Sequence, residues 1–323
     1  MAARKIKTIA IDLGNIDIKG AMLDENGKLI LKEFPNKVRT KKTLHPKAKA
    51  LTKDGKTTYF GIGDLNNKSK KYNRNYLLEQ VLVMTNELLP REEYVIVDLK
   101  LGLPPEQYWS DKALEDFKNN FEIDKEIKFR VGDDFERDDF KIVKFNSVKV
   151  YMEGYSAFKA VEAQGILKGK TKRIIGIDLG GGTCDVCDYE YDYDDECYYP
   201  NDPLTLENGL VDMAKEIATA INNANTNTVS PEQVEAALRN DLELIDNTYK
   251  LNDYKKAISH IENDMVTKIK DAYDLQTFET VEVLGLGGGF ENFIKLTSGT
   301  MESDIEVSRE LRKFGNAIGY LCQ

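Results

Sequence analysis

One short segment occurs twice in this chain. Ile9-Ala10-Ile11-Asp12-Leu13-Gly14 and Ile175-Gly176-Ile177-Asp178-Leu179-Gly180 agree at five of six positions, and a second apolar run follows each, Ile16 to Leu23 and Cys184 to Tyr191. β-Branched residues favour strands and a glycine after the aspartate permits a tight reversal, so each copy predicts a strand, a turn and a returning strand. A chain of 323 residues has room for two lobes of about 150 residues. The repeat therefore predicts a duplicated α/β fold.

The remaining periodicities fit that expectation. Leu29 to Phe34 completes a β-meander in the first half. Helical spacing covers Asn75 to Leu89, the stretch after Pro104-Pro105, and Gly154 to Gln164, with strands at Tyr94 to Leu101, Ile127 to Val131 and Phe140 to Tyr151. Lys37 to Arg74 reads as a basic, turn-rich stretch. In the second half, helices are predicted over Glu207 to Asn223, Ser230 to Arg239 and Asn252 to Tyr273. A strand at Val281 to Leu284 runs into Gly285-Leu286-Gly287-Gly288-Gly289, and a helix over Phe290 to Leu296 follows. A last helix, Ser308 to Tyr320, can pack back on the first lobe.

Composition removes several function classes. With 41% hydrophobic and 31% charged residues the chain suits a folded soluble protein. No window offers the roughly 18 apolar residues of a membrane helix and the start lacks a signal peptide, so a cytoplasmic location is expected. Four cysteines are too few for a disulfide framework, and Cys184 and Cys187, three apart on a strand, face opposite sides with no second pair to complete a zinc site. His45 and His260 are the only histidines, which leaves little material for a serine triad. The net charge of -10 hides eighteen Lys and Arg against seven Asp and Glu in the first 75 residues. Solvated loops, head-to-tail self-association, or docking on an acidic partner would each account for that asymmetry. The acidic, tyrosine-rich run 188–196 lacks the glycine and ligand order of a calcium loop and reads as a solvated hairpin tip.

A strand that ends in Asp and turns through glycines puts a carboxylate beside several bare backbone N–H groups. Such groups cup phosphate oxygens, glycine permits the close approach, and the carboxylate can hold magnesium through its waters. One such hairpin is usually an ordinary tight turn; two in one chain point to a metal-bound phosphate. Lys19, two residues beyond Asp17, is either a solvated side chain or an ammonium reaching a β- or γ-phosphate. The run Gly285 to Gly289 offers a flat backbone surface to a base and ribose; alone it is a strand-to-helix turn. Glu153, taken by itself, reads as a helix-start acid favoured by the helix dipole. Gly165 to Thr171 falls one residue short of a P-loop and precedes a strand, and neither glycine run satisfies G-x-G-x-x-G, because Asp185 and Phe290 stand where the last glycine belongs.

Together these residues resemble the superfamily of actin, sugar kinases and heat-shock chaperone ATPases over nearly the whole chain. Asp12-Leu13-Gly14-Asn15-Ile16-Asp17-Ile18-Lys19 is similar to its first phosphate motif, Asp178-Leu179-Gly180-Gly181-Gly182-Thr183-Cys184-Asp185 to its second, and Gly285 to Gly289 to its adenosine motif. The length, the first motif and the ending Phe314-Gly315-Asn316-Ala317-Ile318-Gly319-Tyr320 most resemble ParM-type plasmid-segregating actins.

The resemblance implies an α/β, actin-like ATPase fold of two duplicated RNase H-like lobes with the nucleotide cleft between them. Residues 1–163 plus 300–323 would form the first lobe, with a basic small-subdomain insertion at about 35–75, and 164–299 the second. It implies that Mg2+ and ATP, or GTP, bind at Gly14, Asn15, Asp17, Lys19, Gly180, Gly181, Gly182, Thr183, Gly209, Gly287, Gly288 and Gly289. Asp12 and Asp178 would organise the metal through water and Glu153 would position the attacking water, making Glu153, Asp178 and Asp12 the catalytic set. A head-to-tail homopolymer is implied, with plasmid DNA reached only through a DNA-binding adaptor and no membrane partner. Direct DNA contact by the lysines of Lys37 to Lys71 would need more interleaved aromatics than the stretch carries. A small-molecule kinase of the same superfamily, passing the γ-phosphate to a hydroxyl, is the alternative. A chaperone-like ATPase would want a substrate domain that the sequence through Gln323 does not carry.

Overall fold

The computed structural model describes residues 5–66, 70–132, 140–226, 228–239, 242–296 and 301–323. The chain divides into two compact units, Met1–Ala163 with Phe314–Gln323, and Gln164–Lys313.

The first unit opens with the meander β1 (Ile6–Leu13), β2 (Asp17–Leu23) and β3 (Leu29–Pro35). Four short strands follow, β4 (Lys37–Arg39), β5 (Lys49–Lys53), β6 (Lys56–Phe60) and β7 (Asp64–Leu65), then a 3-10 turn at Lys71–Asn73 and helix α1 (Leu77–Leu88). After these come β8 (Tyr94–Leu103), α2 (Pro105–Tyr108), α3 (Asp111–Lys118), β9 (Glu126–Val131), β10 (Lys141–Met152) and α4 (Tyr155–Ala163). The strands join in one sheet of ten, ordered β3-β2-β1-β8-β10-β9-β5-β6-β4-β7, with β1 parallel to β8 and β8 parallel to β10. Alternation along β1 decides what each face meets. Ile9, Ile11 and Leu13 enter a buried cluster with Val81, Leu82 and Met84 of α1, while Ala10 and Ala21 on the other face lie against Ala317 and Tyr320.

The second unit repeats the plan on a smaller scale. Strands β11 (Ile174–Leu179), β12 (Cys184–Asp192) and β13 (Cys197–Leu206) form the second meander. They lead to α5 (Leu210–Ala224), α6 (Pro231–Arg239), the small hairpin β14 (Leu244–Ile245) and β15 (Tyr249–Lys250), a 3-10 segment at Leu251–Ile258, and α7 (Ser259–Ala272). The closing elements are β16 (Glu282–Leu286) and α8 (Phe290–Leu296); helix α9 (Arg309–Cys322) follows, and from Phe314 onward it belongs to the first unit. The sheet order is β13-β12-β11-β16, with β11 parallel to β16 as β1 is to β8. The described residues contain no helix long and apolar enough to cross a membrane.

Three differences from the sequence expectation have physical causes. Lys37 to Arg74, expected as turns, carries four strands of two to five residues, too short for a clear alternation. β13, the strand that returns from the hairpin tip expected at 188–196, has no range of its own among the sequence expectations; it carries Pro200 and Pro203 and is the edge strand, where missing N–H donors cost little. The helix expected from Asn252 begins as 3-10 and becomes α-helical at Ser259.

Candidate functional site

In the first unit the site is built where β1 turns into β2. Asp12 lies directly opposite Lys19 in the antiparallel ladder, so the two side chains share a face, and Asp17, two residues before Lys19, shares it too. Glu153 reaches the same place from the junction of β10 and α4, where its N–H donates to the Leu103 carbonyl at 2.9 Å. Between the two acids sits Lys71, 4% exposed. Its Nζ donates to Asp12 Oδ1 at 3.1 Å and to Glu153 Oε1. Burial alone would push the Lys71 ammonium down; the charges of Glu153 and then Asp12 outweigh it and hold its pKa above the ordinary lysine value. The geometry thus gathers two buried carboxylates around one positive charge.

The turn itself is held from behind. Arg74 Nη1 donates to the carbonyls of Leu13 (2.9 Å) and Gly14 (3.2 Å), and Nη2 to Asn15 Oδ1 at 2.6 Å. Asn36 Nδ2 donates to the Gly14 carbonyl at 2.7 Å and the Asn15 carbonyl at 3.3 Å, and the Asn36 backbone N–H to the Ile16 carbonyl at 2.6 Å. Gln80 Nε2 in turn donates to Asn36 Oδ1 at 2.5 Å. Burial lowers the Arg74 pKa to about 10, against the opposing charges of Glu153 and Asp12, so the guanidinium keeps its charge at neutral pH.

In the second unit Asp178 occupies the place on β11 that Asp12 occupies on β1, and Asp185 lies opposite it as Lys19 lies opposite Asp12. The Gly180 N–H donates to the Thr183 carbonyl at 2.9 Å, closing the turn. Here the support is main chain: the Leu210 and Val211 N–H groups at the start of α5 donate to the carbonyls of Gly180 (3.2 Å) and Gly181 (2.9 Å). That approach needs a bare Gly209, because a Cβ there would lie 2.6 Å from the Gly181 carbonyl carbon and 2.7 Å from that of Gly182. Gly287, at φ +81°, and Gly289 pack on the end of β11. The Gly289 N–H donates to the Leu179 carbonyl at 3.0 Å, and a Cβ on Gly287 would meet Asp178 Oδ1 at 2.5 Å. Gly288 between them is exposed.

The structure therefore groups Asp12, Gly14, Asn15, Asp17, Lys19 and Glu153 in one unit. It groups Asp178, Gly180, Gly181, Gly182, Thr183, Gly209, Gly287, Gly288 and Gly289 in the other. Sequence reasoning missed Lys71, Arg74 and Asn36. The available signal is faint: Asn36 and Arg74 bracket the basic, turn-rich stretch. Cys184 and Cys187 are free and buried, and burial raises both thiols, Cys187 to about 12. Among the described residues no group of three His, Cys, Asp or Glu could hold a metal ion by itself.

No protein-family model matches the sequence, and no curated protein matches it. Solved structures do. The archaeal actin homolog Ta0583 is similar to this chain with a TM-score of 0.75 at 18% identity, over 98% of each chain. A ParM from Clostridium botulinum, solved as a 15-stranded filament, gives 0.69 at 20% identity, again over 98% of each chain. Bacillus thuringiensis ParM with AMPPNP gives 0.62 at 15%, over 98% of each chain. The fold is the mixed α/β fold of actin-like proteins. Archaeal actin homologs and ParM proteins are the members of that fold it is similar to here.

Proposed function

We propose that the protein is a nucleotide-dependent, filament-forming actin-like ATPase that segregates plasmid DNA through an adaptor. One observation carries the reading: the same aspartate-tipped glycine turn stands at the same topological position in both units. Supporting it, Ta0583 was also solved with ADP and Bacillus thuringiensis ParM with AMPPNP, and the Clostridium botulinum ParM is a filament.

Phosphoryl transfer to water asks the protein for placement of charge rather than covalent chemistry. Gly14, Asn15 and residues 181–183 of the second turn present backbone N–H groups to phosphate oxygens, and Lys19 adds a positive charge from the Asp12 face. Asp12 and Glu153 accept hydrogen bonds from the Lys71 ammonium, a donor set suited to a cation, and Asp12 and Asp178 are the carboxylates that would each hold magnesium through waters. Magnesium, when bound, would neutralise phosphate charge. Glu153 accepts a hydrogen bond from the attacking water and orients it, while Lys71 keeps the two acids apart in charge. Gly209 lets α5 brace the second turn, and Gly287 to Gly289 form the surface for base and ribose. A head-to-tail contact does not close on itself, so polymerisation yields an open filament.

The test is light scattering of purified protein with magnesium and ATP or GTP, followed by pelleting. Nucleotide-dependent polymer supports the reading. Turnover that stays monomeric and requires an added alcohol or sugar sinks it in favour of the kinase. Glu153→Ala should still polymerise while hydrolysing about 100-fold more slowly, a loss of the size seen when one transition-state contact is removed; unchanged hydrolysis would remove Glu153 from that role.

A further inference from the structure

We infer that Arg74 and Asn36 are positioning residues that aim the first turn at a nucleotide's phosphates, an inference that rests on the nucleotide-binding reading above. Four successive carbonyls, those of Leu13, Gly14, Asn15 and Ile16, accept hydrogen bonds from these two residues. In a trans peptide the carbonyl and the following N–H point in opposite directions. Pinning the carbonyls toward Arg74 and Asn36 therefore turns the N–H groups of Gly14, Asn15, Ile16 and Asp17 away from them, which orients a row of donors of the kind that cups an anion.

The device is built rather than incidental. Asn36 and Gln80 are wholly buried and Arg74 is 5% exposed, and the Gln80 amide fixes which way the Asn36 amide points. Arg74 Nε is buried with no partner, so the guanidinium accepts an unmade bond to keep its other nitrogens on the turn. The same two residues bracket β4 to β7, whose last strand is followed by Asn66. The Asn66 carbonyl accepts from Asn36 Nδ2 at 3.1 Å, and its Nδ2 donates to the Asn75 carbonyl at 2.8 Å. Both ends of the small basic segment are thus tied to the turn.

Removing the clamp should weaken ground-state and transition-state binding of the phosphates alike, so it raises KM and spares kcat. Arg74→Met is expected to raise KM for magnesium-ATP at least 10-fold with kcat within about 3-fold of the parent, and Arg74→Lys, which can reach one carbonyl, to fall between them. An unchanged KM in folded Arg74→Met overturns the inference, as does a loss confined to kcat. Should Arg74→Met fail to fold, amide-resolved hydrogen exchange on the unmodified protein decides. With magnesium and ATP added, the amides of residues 14–17 gain protection if the inference holds. Protection at 181–183 without any at 14–17 overturns it. No nucleotide-dependent protection at either turn, with no binding by titration of a fluorescent ATP analogue, instead overturns the nucleotide-binding reading on which it rests.

Discussion

The first turn hangs mainly from two side chains, with one main-chain bond from Asn36, while the second rests on the main chain of a helix start. Asn36 and Arg74 hold the carbonyls of Leu13 to Ile16; the N–H groups of Leu210 and Val211 hold those of Gly180 and Gly181. The difference extends to buried charge. Among the described residues, the buried cations Lys71, Arg74 and Lys141 all lie in the first unit, and the buried charged groups of the second are acids, Asp178, Asp185, Asp188, Glu235 and Glu262. Two copies of one motif thus keep the strand and the turn while their supports diverge. A side-chain support can be trimmed by degrees, whereas a backbone support against a bare Cα tolerates no addition.

The largest effect should come from Lys71→Met. It leaves Asp12 and Glu153 buried without their shared cation, and breaking a buried pair in this way costs about 3–5 kcal/mol. Lys71, whose folded pKa is raised, contributes stability fully present at neutral pH and lost only as pH climbs past that raised value. Urea melts at neutral pH should show that deficit, and an unchanged midpoint would break the charge account of this unit. Next comes Gly209→Ala, which should cost about 100-fold in ATP affinity, roughly 2.7 kcal/mol, because the new methyl group strikes the Gly181 and Gly182 backbone. If titration with a fluorescent ATP analogue shows normal affinity, the backbone support is softer than described. The smallest is Lys141→Met. Burial lowers the Lys141 pKa to about 8, and its ammonium donates to the Leu89 carbonyl. Between about pH 8 and 10 the unfolded chain keeps the proton that the folded chain gives up, so the parent gains stability with rising pH. Thermal melts of parent and variant should change their separation by about 1–2 kcal/mol over that window.

Much of this was legible in the sequence, for reasons that differ by element. The duplicated meanders show themselves because each strand pattern and each glycine turn is local: Asp12 to Gly14 and Asp178 to Gly180 carry their meaning within a few residues. Gly285 to Gly289 is equally local. Lys71 was not legible, because its partners lie 59 and 82 positions away and nothing near it in sequence marks a lysine as buried. Arg74 and Asn36 share that difficulty, since their bonds run to the main chain of the turn and impose no side-chain pattern on it. β13 carries Pro200 and Pro203, which only an edge position tolerates.

The chain order of the two units has a consequence for synthesis. α9 supplies Ala317 and Tyr320, which cover Ala10 and Ala21 on the first sheet, and the Asn316 amide oxygen accepts from the Gly154 N–H at 3.0 Å. A ribosome releases Phe314–Gln323 only after every residue of Gln164–Lys313 has emerged. The later unit can therefore begin to close its core while the earlier one still waits for the cover over Ala10 and Ala21, in the interval when exposed apolar strands are most open to misassembly and to chaperones. Of the two units, the one that emerges first is completed last.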